Sequence, residues 1–118
     1  MLGDTIVAQA SATGAAERAV LRLSGPQAFA AAELVFAGPL PRARAQVDGA
    51  LRLGGGVLPA LALVMVAPAS FTGEHTVELH VPGSQLLVRR LLDRLVQAGD
   101  GAVRLALPGE FTARACRN

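Results

Sequence analysis

Hydroxyls, carboxylates and imidazoles crowd into residues 70–83, Ser-Phe-Thr-Gly-Glu-His-Thr-Val-Glu-Leu-His-Val-Pro-Gly, in a chain otherwise rich in Ala, Leu, Val and Gly. Pro68 and Gly73 break regular structure there, and polar and apolar residues then alternate with period two over 76–81. The alternation predicts a strand with Val77, Leu79 and Val81 toward a core and Thr76, Glu78 and His80 on the other face. A carboxylate on such a strand, beside a glycine-containing loop, can accept two hydrogen bonds from an amide-like or amidine-like ligand edge. The same pattern also describes an ordinary solvated strand face. His75 and His80 are five apart with no cysteine or third ligand in register, so no metal site is read from them. Gly54-Gly55-Gly56 lacks the following helix, with Lys and Ser/Thr, that a phosphate-cradling loop needs, and reads as a hairpin turn.

The elements that must position these groups follow from the same patterning. Strands are predicted over 5–10, 19–23, the end of 42–53, 57–66, 76–81 and 102–107. A helix is predicted over 26–36, with Ser24 as a plausible N-cap and Pro26 in its first turn. The most periodic helix covers 83–98, where Leu87, Leu91 and Leu95 recur every four residues beside Val88, Leu92 and Val96. A last helix is predicted over 108–117, with Glu110 in its positive first turn. Strands clustered between helices without regular alternation predict an α+β fold with a mixed or antiparallel sheet.

The chain has 118 residues, enough for one domain with one core. Apolar residues make up 52%, which excludes a disordered class, and with no Tyr or Trp the core must be aliphatic. All 11 basic residues are Arg, and a net charge of +2 is too small and scattered to argue for nucleic-acid binding by itself. The single Cys116 rules out an internal disulfide. No basic segment followed by an apolar stretch opens the chain, and no apolar run is long enough to span a bilayer as a helix. These features lead to the expectation of a soluble, cytoplasmic protein without a membrane partner.

Four segments, in order, carry a resemblance. Ser70-Phe71-Thr72-Gly73-Glu74 followed by Glu78-Leu79 resembles the S-F-T-G-E-D-x-x-E-L signature of the tRNA-modification GTPases of the MnmE (TrmE) type, in their N-terminal domain. Asp4-Thr5-Ile6-Val7-Ala8 resembles the family's D-T-I-x-A, and Arg22-Leu23-Ser24-Gly25 its R-I-S-G. Pro108-Gly109-Glu110-Phe111-Thr112 with Arg114-Ala115 resembles P-G-E-F-T-E-R-A. The resemblance implies a domain similar to half of the folate-binding domain of glycine-cleavage T proteins, of β2-α-β3-α-β type. It implies a homodimer with a reduced folate, 5-formyltetrahydrofolate, near the interface as one-carbon donor. Residue by residue, it maps folate contacts onto Arg22 and Glu78. It further implies a parent protein that is a GTPase acting on the wobble uridine of tRNA with a flavin-dependent partner.

No G-x-x-x-x-G-K-[ST] occurs in the 118 residues, so this polypeptide is read as non-catalytic alone, with no catalytic residues assigned. Because it stops inside a family motif, the expectation is a single domain, 1–118, excised from a longer chain. The sequence departs from the family at Gly14-Ala15-Ala16-Glu17, where G-R-G-G is usual, and at Val81-Pro82-Gly83, where H-G-G is usual. Those departures keep an alternative open: a structural dimerisation module that no longer binds folate, with Arg22 and Glu78 forming a cross-strand salt bridge.

Overall fold

Residues 3–10, 17–53 and 56–117 are described by a computed structural model. These residues form six strands: β1 (Thr5–Gln9), β2 (Arg18–Ser24), β3 (Ala45–Arg52), β4 (Val57–Met65), β5 (Thr76–Pro82) and β6 (Val103–Leu105). Three helices accompany them, α1 (Ala28–Ala32), α2 (Gln85–Ala98) and α3 (Glu110–Arg117). The strands form one sheet in the order β3-β4-β5-β2-β1-β6, antiparallel throughout except for the parallel β1–β6 pair. The expected α+β class with a mixed sheet is therefore observed. Among the described residues no helix is long and apolar enough to cross a membrane.

One sheet face is the core. Val7, Leu21, Leu23, Val77, Leu79, Ala62 and Val64 are all buried. Ala28, Phe29, Ala31 and Ala32 of α1 pack on them, as do Leu87, Val88, Leu91 and Leu95 of α2. The apolar stripe predicted for the long helix is thus the one that docks. Its start lies two residues later than expected, because Ser84 is the N-cap: the Ser84 hydroxyl accepts the Leu87 N–H at 3.2 Å.

The first helix departs from expectation. It covers five residues instead of eleven, and Ser24 does not cap it. Tertiary pairing overrides the apolar stripe. The Arg52 N–H reaches the Val35 carbonyl, the Ala37 N–H reaches Ala50, and Phe36 bridges to Leu51. Phe36 is almost fully buried, and a side chain at Gly49 would fall 2.6 Å from its ring, so the bare backbone of Gly49 makes this packing possible. The last strand is also shorter than expected, ending at Leu105. The first three residues of the Gly14-Ala15-Ala16-Glu17 departure and the first two glycines of the predicted 54–56 turn lie outside the described residues.

Candidate functional site

Register places Arg22 of β2 directly opposite Glu78 of β5. Both alternate with core residues (Leu21 and Leu23, Leu79 and Val77), so both lie on the sheet face away from α1 and α2. One row across that face reads Gln46, Leu63, Glu78, Arg22, Ala8, and the next reads Asp48, Leu61, His80, Val20. The face is half-buried, with the Arg22 and Glu78 side chains 29% and 15% exposed. Arg22 donates from Nε at 2.8 Å and from Nη2 at 2.6 Å, both to Glu78 Oε2. Phe111 of α3 comes over the Arg22 guanidinium, its ring centroid 5.8 Å from Cζ, a cation–π contact. The structure thus joins two residues 56 positions apart as a cross-strand salt bridge.

The other polar residues of the 70–83 stretch divide. Thr76 is buried, contacting Thr72. His80 stays on the open face, its Nε2 3.5 Å from Glu78 Oε1. His75 goes elsewhere: its Nδ1 accepts the Ala67 N–H at 3.1 Å, and its ring lies 4.7 Å from that of Phe29. The two histidines therefore do not act together.

A second constellation, which sequence reasoning missed, lies at the end of the same face. Arg114 of α3 is buried and gathers three of the four signature segments around it. Its Nη1 donates to the Asp4 carbonyl at 2.8 Å and to Glu74 Oε1 at 3.1 Å, and its Nη2 donates to Asp4 Oδ1 at 2.9 Å. The Ser24 hydroxyl donates to Glu74 Oε1 at 2.8 Å and pairs with Thr72 at 2.6 Å. Arg104 of β6 extends the network, bonding through its guanidinium to Asp4 and to Glu110. Glu110 in turn accepts the Leu107 N–H at 2.9 Å, where its first-turn position predicts a backbone donor.

The electrostatics follow from these contacts. Hydrogen bonding from Arg104 pulls the Glu110 carboxyl down to about 2, against an ordinary 4.5, and burial opposes the shift. Hydrogen bonding from Arg104 also lowers Asp4, while burial opposes and Arg114 assists. The same bonds raise the Arg104 guanidinium, Glu110 first and Asp4 second. The network is a clamp in which hydrogen bonds from arginine hold the Asp4 and Glu110 carboxylates ionised.

Two motif glycines serve these constellations. Gly25, after Ser24, has φ +140°, and a side chain there would meet the Thr5 backbone at 2.6 Å. Gly73, between Thr72 and Glu74, has φ +79°, a left-handed turn that aims both neighbours inward. The missed signal was present in the four segments themselves: Asp4, Ser24, Thr72, Glu74, Glu110 and Arg114 carry complementary charge and hydrogen-bonding capacity. Only Arg104 lies outside them.

Comparison with known proteins accounts for the shared segments. A family model described as GTP-binding protein TrmE N-terminus matches residues 5–118. A tRNA modification GTPase MnmE from Roseobacter denitrificans is 47% identical over 117 residues, which cover 98% of this chain and 27% of that protein. Proteins of the same name from Protochlamydia amoebophila and Symbiobacterium thermophilum are 38% and 43% identical, each over 98% of this chain and 26% of their own length. The chain spans about a quarter of the length of these curated relatives. It belongs to the TrmE N-terminal family.

Proposed function

From that membership we propose that this chain is the folate-binding and homodimerisation domain of a tRNA wobble-uridine modification GTPase. In this reading it holds 5-formyltetrahydrofolate as one-carbon donor. The supporting observation is the Arg22–Glu78 pair, register partners on the half-open sheet face. The pterin edge of a reduced folate presents N–H donors, which a carboxylate accepts. Polar acceptor atoms close to that edge suit a guanidinium donor. Glu78 Oε2 already takes two Arg22 N–H groups, so Oε1 is the oxygen that faces a ligand. The fold proposed is the folate-binding-like half-domain of T proteins, completed by a second copy. The longer protein would supply GTP hydrolysis and act on tRNA in the cytoplasm with a flavin-dependent partner, while this domain cleaves no bond itself.

The Arg22–Glu78 salt bridge also favours a second reading, a dimerisation module in which the pair is purely structural. Two measurements separate the readings: calorimetric titration with 5-formyltetrahydrofolate, and mass in solution by sedimentation equilibrium. Saturable binding at twice the chain mass supports the first. A dimer that takes up no folate supports the second, and a strict monomer at high concentration overturns both.

A further inference from the structure

His80 lies on the open face, two residues along β5 from Glu78. Both of its ring nitrogens are shielded from solvent, and neither has a hydrogen-bond partner among the described residues. Its flanking register partners are apolar, Val20 on β2 and Leu61 on β4. The polar atom facing it is Glu78 Oε1, 3.5 Å from Nε2, a distance beyond an ordinary hydrogen bond. An imidazole kept out of water without a partner is unfavourable, and such a group in a folded protein calls for an explanation. The ring also borders a cleft of about 380 Å³ lined by Glu17, Arg18, Asp48 and Pro82.

For Nε2 the occupancy of Glu78 supplies that explanation. Arg22 consumes both acceptor positions of Oε2. Oε1 is left to receive a ligand, yet a carboxylate anchored through one oxygen can still swing about its Cγ–Cδ bond. A shift of about 0.6 Å brings Nε2 into hydrogen-bond range of Oε1. We infer that His80 is a positioning residue: its Nε2–H closes on Glu78 Oε1 and fixes the carboxylate plane, leaving one lone pair of Oε1 aimed at a ligand N–H. Arg22 and His80 then grip the two carboxylate oxygens from opposite ends, and the plane of Glu78 sets the plane of the ligand edge. The inference rests on the reading of Arg22 and Glu78 as the folate pair.

The test has two arms. In the ligand-free chain, ring nitrogen–proton correlation spectra are recorded for the wild type and for Glu78→Gln. The His80 Nε2 signal moves, while those of His75, which is bonded to Ala67, stay in place. With 5-formyltetrahydrofolate, His80→Phe keeps the volume, removes the donor and weakens binding about tenfold. His80→Gln, which keeps a donor, restores affinity to within about threefold of wild type. The double variant Glu78→Gln/His80→Phe binds no more weakly than Glu78→Gln alone, since His80 acts through Glu78. An unmoved His80 signal, or full additivity of the two substitutions, overturns the inference. A wild-type chain that takes up no folate overturns the ligand reading instead, and the spectra then decide the His80–Glu78 coupling by themselves.

Discussion

Replacing Arg114 by Met tests the physical role of the signature segments. The substitution keeps much of the aliphatic stem and removes the guanidinium from a site where the Arg114 and Glu74 side chains are only 4% and 7% exposed. Glu74 is left with the Ser24 hydroxyl as a donor to Oε1, and the Asp4 carbonyl and carboxylate each lose an N–H. Removing one partner of a buried pair typically costs about 3–5 kcal/mol, because the other charge stays buried without compensation. A domain of this size has roughly 5–15 kcal/mol in total, so the loss takes a large fraction of it. At about 4 °C per kcal/mol, thermal unfolding should shift down by roughly 12–20 °C, read by circular dichroism. The companion variant Glu74→Leu/Arg114→Met removes both charges and should recover a good part of that loss. A shift of less than about 3 °C for Arg114→Met, with no recovery in the double variant, would refute the clamp.

Two further perturbations follow. The folded Glu110 value of about 2 lies below the ordinary 4.5, so this carboxylate stabilises the fold fully above about pH 4.5, and its contribution is lost as pH falls toward 2. Urea midpoints should therefore drop through that window, with Asp4 acting in the same direction, and Glu110→Gln should flatten the drop; an unchanged pH profile in the variant would contradict the assignment. Ser84→Ala removes the acceptor for the Leu87 N–H and should cost about 1 kcal/mol in chemical denaturation without altering folate affinity; a neutral effect would show that the 3.2 Å bond does not cap α2.

The legible parts of the fold were those in which a local pattern and the tertiary demand coincide. Leu87, Leu91 and Leu95 announced the docking face of α2, and the alternation from Thr76 to Val81 announced β5 and its two faces. The stripe through Phe29, Ala32 and Val35 misled. Its residues are buried as their apolar character implies, but Phe36 and Val35 are held by β3 rather than by a continuing helix. That pairing depends on a close approach at Gly49, thirteen residues away, which no local window reports. Ser24 misled for a related reason. A serine before Gly-Pro is a reasonable cap in isolation, yet its hydroxyl is claimed by Thr72 and Glu74, 48 and 50 residues away.

The site shows the same division. Arg22 and Glu78 could be named because motif and strand periodicity agreed on them, and the register then set them face to face. The Arg114 clamp stayed hidden because its members come from four widely separated segments, and burial of an arginine is not encoded in the arginine's own neighbourhood. His80 was visible as a polar residue on the right face, while its lack of a hydrogen-bond partner among the described residues is a property of the folded sheet alone.

The most direct test of the central claim is calorimetric titration of 5-formyltetrahydrofolate into the wild-type chain and into Glu78→Gln, with circular dichroism confirming that both are folded. Saturable binding by the wild type and at least tenfold weaker binding by the variant are expected, from the loss of a charge-assisted hydrogen bond. Equal affinity in the two proteins, or no binding by a folded wild-type dimer, would contradict the claim.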